Sequence, residues 1–150
     1  MILRYFKDEK LHTMLIQEPW IVRDRIRGLT ASNLRLFAPQ TNNKTRTCIL
    51  ARKGIQCVLM SDLCTPDLTV VRIGEDADSY VLASVYMPYD SRDLPPPPEV
   101  ISLVQFCEAR ILELVLGCDA NAHSTVWGGT DDNGRGTPYF SLSNPITCKL

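Results

Sequence analysis

Four consecutive prolines at positions 95–98 constrain this chain more than any other feature. Proline fixes φ and donates no backbone hydrogen bond, so such a run can be neither a helix interior nor a central strand. It forms a stiff, extended connection. The chain therefore reads as two stretches of different character joined at that point. Before the prolines, short apolar runs recur at strand length. Met14, Leu15 and Ile16 close the first, which Pro19 ends. The stretch Leu34-Arg35-Leu36-Phe37-Ala38 alternates at period two before Pro39. Cys48-Ile49-Leu50-Ala51 and Cys57-Val58-Leu59-Met60 flank Gly54 at the spacing of a hairpin. Runs at 68–73, after the turn Thr65-Pro66-Asp67, and at 80–86, after the acidic turn Glu75-Asp76-Ala77-Asp78, complete what reads as an antiparallel meander.

Beyond the prolines the period changes. Val100, Leu103, Val104, Cys107 and Ile111 recur at three- and four-residue steps, the pattern of an amphipathic helix. Pro97 or Pro98 suits its first turn, and Glu99 is well placed near the positive end of the helix dipole. Residues 112–118 then read as a buried strand ending at Asp119. A strand, a meander, a crossing helix and a last strand whose end carries acid and amide groups suggest an α/β sandwich rather than a pure β-barrel. From Gly128 onward, Gly129, Gly134 and Gly136 crowd one loop with Asp131, Asp132 and Asn133, and residues 137–150 support neither period.

Composition narrows the partners without naming one. At 150 residues, 45% hydrophobic and 22% charged, the chain suits one soluble domain with its own core. A net charge of -1 means that any nucleic acid must be held by a local basic face. Arg23, Arg25 and Arg27, after Trp20, could touch phosphates, or could simply be a solvated loop. Cys48, Cys57, Cys64, Cys107, Cys118 and Cys148 show no zinc-ligand spacing with each other or with His12 and His123, and are expected to be free thiols in a reducing compartment. Charged residues interrupt the first ten positions, so no signal peptide is expected. Nothing approaches the about 18 apolar residues of a membrane span, and an intracellular protein with no membrane partner is expected.

Three strand ends present groups that can do chemistry. Glu18, between Gln17 and Pro19, could hold a hard cation such as Mg²⁺ through oxygen, or be an ordinary exposed acid. Tyr86, before Met87 and Pro88, could extend its phenol to a phosphate oxygen, or be a half-buried core tyrosine. Asp119 and Asn121, two apart on an extended segment, could activate and orient a water, or form an Asx-turn that only caps structure. His123 reads as a phosphate contact or a plain loop residue.

Taken together, Leu15-Ile16-Gln17-Glu18-Pro19-Trp20, Val85-Tyr86-Met87-Pro88 and Cys118-Asp119-Ala120-Asn121-Ala122-His123 with Trp127-Gly128 resemble the endonuclease/exonuclease/phosphatase superfamily. More narrowly, they resemble the apurinic-type endonuclease domain of jockey-like non-LTR retrotransposons, with Asp131, Asn133 and Arg135-Gly136 similar to the loop that follows there. The match covers roughly residues 11–136. The resemblance implies a four-layer α/β sandwich of the DNase-like kind, mostly antiparallel with a crossing helix. In it Glu18 is a Mg²⁺ ligand (Mn²⁺ being an alternative), Tyr86 contacts the scissile phosphate, Asp119 activates the attacking water, and Asn121 orients that water or the phosphate. Trp127 and Gly128 are expected to pack under the loop. Target DNA is the implied partner, alongside a reverse transcriptase domain in a parent polyprotein working in the nucleus.

Departures from the family pattern shape the expectation further. The family's first strand, which carries an asparagine that helps hold the metal, has no counterpart unless residues 1–6 are its remnant. Its later strands carry an Asp and an Asp-His pair, whereas no histidine follows His123 here. The expected architecture is thus a partial sandwich over residues 1–136, missing the first and the C-terminal strands, with 137–150 as an irregular tail. The expected function is that of a fragment of a Mg²⁺-dependent DNA endonuclease, inactive alone. Alternatives are a non-catalytic remnant with at most weak nucleic-acid binding, and a phosphoesterase of the same superfamily acting on a non-DNA substrate.

Overall fold

The computed structural model describes residues 11–40, 44–75, 78–91, 95–123, 125 and 130–134. Three features of the sequence analysis lie outside them: residues 1–6, Trp127 with Gly128, and the stretch from Arg135 through the tail at 137–150. Two sheets pack face to face. The first holds β1 (Thr13–Gln17), β5 (Thr47–Arg52) and β4 (Leu34–Phe37), in the antiparallel order β1-β5-β4. The second holds β6 (Cys57–Leu59), β7 (Leu68–Ile73), β8 (Tyr80–Tyr86) and β9 (Glu113–Asp119), in that order. Its pairs are antiparallel except β8 with β9, which run parallel and are joined through helix α1 (Pro98–Ala109). A parallel pair needs such a crossover, and the proline run leads into it. Between β1 and β4 lies a small hairpin of β2 (Ile21–Val22) and β3 (Arg25–Ile26).

Period-two alternation on these strands builds three apolar layers. Ile49 and Ala51 of β5 face Val71, Ile73 and Leu82 across the sandwich, with Leu15 and Phe37 at the margin. The intervening Cys48 and Leu50 point the other way, onto Ile16, Leu29 and Leu34. On the far side of the second sheet, Val70, Val81, Ala83, Val85 and Leu116 meet Val100, Leu103 and Cys107 of α1. Central strand β5 is apolar on both faces because both are covered. This is an α/β sandwich, mostly antiparallel with a crossing helix, as the sequence suggests. Among the described residues, the outer face of the first sheet is covered by hairpin and loop.

Three local expectations are corrected. β5 and β6 flank Gly54 but do not form a hairpin: β5 is already paired on both edges, and the short connection carries the chain to the opposite sheet. Ile111 does not extend the helix. It sits beyond the C-cap Arg110 with φ 55° and is 95% exposed. β9 is not a uniformly buried strand; only Leu116 is fully buried, and Val115 is 43% exposed. No described helix is long and apolar enough to cross a membrane. Cys48, Cys57, Cys64, Cys107 and Cys118 are free thiols, and burial pushes the Cys48 thiol up to about 12.

Candidate active site

β1, β8 and β9 finish at the same end of the sandwich, and a polar layer under that end locks them together. Gln17 donates its amide N–H to Ser84 Oγ at 3.0 Å and to the Gly117 carbonyl at 3.2 Å. Ser84 Oγ in turn donates to the Ile16 carbonyl at 3.1 Å. Deeper in, the Thr47 and Thr69 hydroxyls meet at 2.8 Å across the two sheets, both buried. Buried polar groups satisfied in this way fix register between sheets more sharply than apolar packing does. Gly117 permits the close approach: a Cβ there would lie 2.5 Å from Leu15 Cδ1.

Directly after β1 the backbone turns at Glu18, φ 50°, and its N–H bonds the Arg46 carbonyl at 2.8 Å. The carboxylate is exposed, while Pro19 behind it is buried. At the end of β8 the Tyr86 N–H bonds the Asp67 carbonyl at 2.9 Å. Arg46 pairs through both guanidinium arms with Asp67 and lies 5.1 Å from the centre of the Tyr86 ring. That cation–π contact and the bidentate pair hold the phenol in place. Partial desolvation and a hydrogen bond to the Glu18 carboxylate raise the Tyr86 pKa above 10.0, against a hydrogen bond from Asn121 and the nearby Arg46 charge, which lower it. The phenol is therefore a proton donor at neutral pH. The Arg46 pKa is raised chiefly by its bond to Asp67.

After β9, Met87 N–H bonds the Asp119 carbonyl at 2.9 Å, and the chain leaves the strand in an Asx-turn, with Asn121 N–H on Asp119 Oδ1 at 3.1 Å. Of the two readings of Asp119-Ala120-Asn121, an extended segment or an Asx-turn, the backbone adopts the turn, with Asn121 at φ 47°, a conformation asparagine tolerates. The turn keeps the Asn121 side chain at the site: its Nδ2 donates to the Met87 carbonyl at 3.0 Å, and it is near enough to the Tyr86 phenol to lower its pKa. Asn133 fastens the following loop. Its Nδ2 donates to the Asn121 carbonyl at 3.0 Å, and its Oδ1 accepts from His123 N–H at 3.0 Å. His123 itself is exposed, its ring 3.2 Å from Asp131.

Glu18, Tyr86, Asn121 and Asp119, anticipated as separate strand-end groups, therefore meet at one end of the sandwich, with Glu18 and Asn121 beside the Tyr86 phenol and the Asn121 N–H on Asp119. Arg46 and Asp67 escape a reading of the sequence, since Arg46 follows a polar stretch without period and Asp67 reads only as a turn residue. Gln17 and Ser84 leave a fainter signal, as polar residues at inward-facing positions of otherwise apolar strands. No three His, Cys, Asp or Glu side chains form a ready-made metal cage among the described residues. Mg²⁺ needs less, because waters and substrate phosphates complete a shell begun by one or two carboxylates. The exposed Glu18 carboxylate and the side-chain oxygens at Asp119 and Asn121 are donors of that hard kind.

Neither a protein-family model nor a curated protein matches the chain. Among solved structures it is similar to the endonuclease domain of TRAS1, a telomere-specific non-LTR retrotransposon, with a TM-score of 0.67 and 24% sequence identity. The alignment covers 93% of this chain and 59% of that one, so the chain spans little more than half of the structure it matches. The fold of this protein is similar to part of the endonuclease domain of a non-LTR retrotransposon, with Glu18, Tyr86, Asp119 and Asn121 at one end of it.

Proposed function

We propose that the chain is part of a metal-dependent DNA endonuclease domain that hydrolyses a phosphodiester at the cluster Glu18, Tyr86, Asp119 and Asn121. The observation that carries this reading is the hydrogen-bonded convergence of those groups at the strand ends, in a fold shared with a retrotransposon endonuclease domain. Asp119 takes a proton from water as it attacks phosphorus, and Asn121 orients that water or the phosphate. The Tyr86 phenol, protonated, donates to a phosphate oxygen. The P–O3′ bond breaks, the leaving O3′ takes a proton from solvent water, and the freed 3′ hydroxyl is the kind of end that primes reverse transcription by a neighbouring domain of a parent polyprotein, in the nucleus. Glu18 would hold Mg²⁺ or Mn²⁺, which supplies Lewis-acid charge to the phosphate. One firm carboxylate is a weak hold on such an ion, so these 150 residues alone turn over poorly. Losing members of a cooperative site costs orders of magnitude in rate.

Two measurements test the reading. Supercoiled plasmid with Mg²⁺ is expected to be nicked barely above background by the folded chain, and not at all by Asp119→Ala. Strong nicking unaffected by that substitution removes Asp119 from its role. Strong nicking abolished by it keeps the role and refutes the weak-hold argument. Separately, Mn²⁺ should broaden the amide resonances of Glu18, Tyr86 and Asn121, and Glu18→Gln should relieve the broadening. Unchanged spectra would take the metal out of the proposal.

A further inference from the structure

The β2–β3 hairpin presents a composition that folding does not explain. Its ends are tied down: Pro19 and Leu29 are buried, Ile26 packs on the first sheet's outer core, and Arg27 N–H bonds the Trp20 carbonyl at 2.8 Å. The pairing Ile21↔Ile26 and Val22↔Arg25 sets the faces. By strand alternation Ile21 and Ile26 look inward, while Trp20, Val22, Arg25 and Arg27 share the solvent side. Arg23 and Asp24 form the two-residue tip, both at positive φ (50° and 58°), the backbone of a type I′ turn usually given to Asn-Gly. Trp20 is 70% exposed, and Arg23, Arg25 and Arg27 are exposed as well. Among the described residues, no ion pair or ring contact occupies those three arginines. A solvated loop has no need of an exposed indole flanked by unpaired guanidinium groups.

From this face we infer that the hairpin is a DNA-docking surface beside the candidate active site, with the arginines on backbone phosphates and the Trp20 indole against a base or sugar. The inference rests on the proposed function for its choice of nucleic acid. Position supports it: Trp20 is two residues from Glu18, so their Cα atoms lie within about 7 Å. A strand whose phosphate reaches Glu18 is therefore within reach of Trp20. Charge supports it too, because a chain of net charge -1 must concentrate basic groups locally to hold a polyanion.

Fluorescence anisotropy of a short labelled DNA duplex with the full chain, in EDTA, tests docking without metal or cleavage. The triple variant Arg23→Gln, Arg25→Gln, Arg27→Gln should lower the slope of log affinity against log salt by about 2.7, at about 0.9 for each phosphate no longer neutralised. The matching triple lysine variant should restore most of that slope. Trp20→Ala should weaken binding about tenfold and leave the slope unchanged, which is the signature of stacking rather than charge. Trp20→Phe, which keeps an aromatic face, should recover most of the loss and shows that the alanine form is not merely misfolded. Wild-type affinity and slope in both the glutamine triple and Trp20→Ala would overturn the inference, as would a wild-type chain that does not bind. Failure of the catalytic proposal looks different: hairpin-dependent binding with no Mn²⁺ broadening at Glu18 and no Asp119-dependent nicking leaves docking intact while the metal and the role of Asp119 fall.

Discussion

Tyr86 is the residue on which the candidate site turns, because its phenol touches groups from both neighbouring strand ends. The direction of its pKa carries a stability consequence. Its folded pKa lies above the unfolded value of 10.0, so the folded state holds the proton more tightly. The stabilisation is fully present below that pH and is lost as pH rises through the window between the two values. Wild type should therefore lose stability relative to Tyr86→Phe on entering that window, in parallel denaturant titrations. Ultraviolet titration of phenolate should show the Tyr86 phenol, absent from Tyr86→Phe, ionising later still once Arg46→Met removes the nearby positive charge. Earlier ionisation in that variant would contradict the cation–π placement. Gly117 governs the same site from beneath. Gly117→Ala forces Leu15 aside in the sandwich and disturbs the Gln17 bond to the Gly117 carbonyl, at an expected cost of about 1–3 kcal/mol. An unchanged thermal midpoint would mean that Leu15 swings away freely.

At the scale of elements, α1 shows what a period can and cannot announce. Its start is legible, because Pro98 at the first position and Glu99 in the first turn follow from the proline run. Its end is not, because Ile111 continues the helical step while the backbone stops at a Schellman motif, with Leu112 N–H on the Cys107 carbonyl and Ile111 N–H on that of Glu108. The position at positive φ is normally glycine, and a β-branched residue there costs roughly 1–2 kcal/mol. Since the Ile111 side chain is almost wholly exposed, Ile111→Gly forfeits little burial and should stabilise the protein by about 1 kcal/mol. A lower midpoint in thermal unfolding would show that the side chain does packing that its exposure conceals. The β2–β3 hairpin is hidden for a related reason: Arg23-Asp24 adopts a turn that local sequence rules expect of Asn-Gly. Alternation places β7 and β8 residue for residue, yet says nothing of which sheet each strand joins, and so wrongly suggests a β5–β6 hairpin. The candidate site is readable because strand ends are where a sheet presents acids. What joins them, Arg46 to Asp67 and Gln17 to Ser84, depends on tertiary neighbours that no local pattern encodes.

The molecule as a whole is a sandwich with unequal edges, and that inequality predicts how it associates. Among the described residues the second sheet is bounded by β6 and β9, each paired on one side. β6 is three residues long, and an edge so short is a poor template for another strand. β9 is seven residues long, and its Val115 is 43% exposed. Among the described residues its stretch 113–116 is an open edge, which invites a second chain to add to it. Self-association of the isolated chain should therefore run through β9, visible as concentration-dependent sedimentation. Val115→Lys, which places a charge on the open strand, should suppress it while shifting stability by no more than about 0.5 kcal/mol. Val58→Lys on β6 is the matched control, since Val58 is more exposed, at 62%, yet lies on the short edge. If exposed apolar area alone drove association, the Val58 substitution would be the more effective of the two. Strand pairing as the cause requires the opposite order.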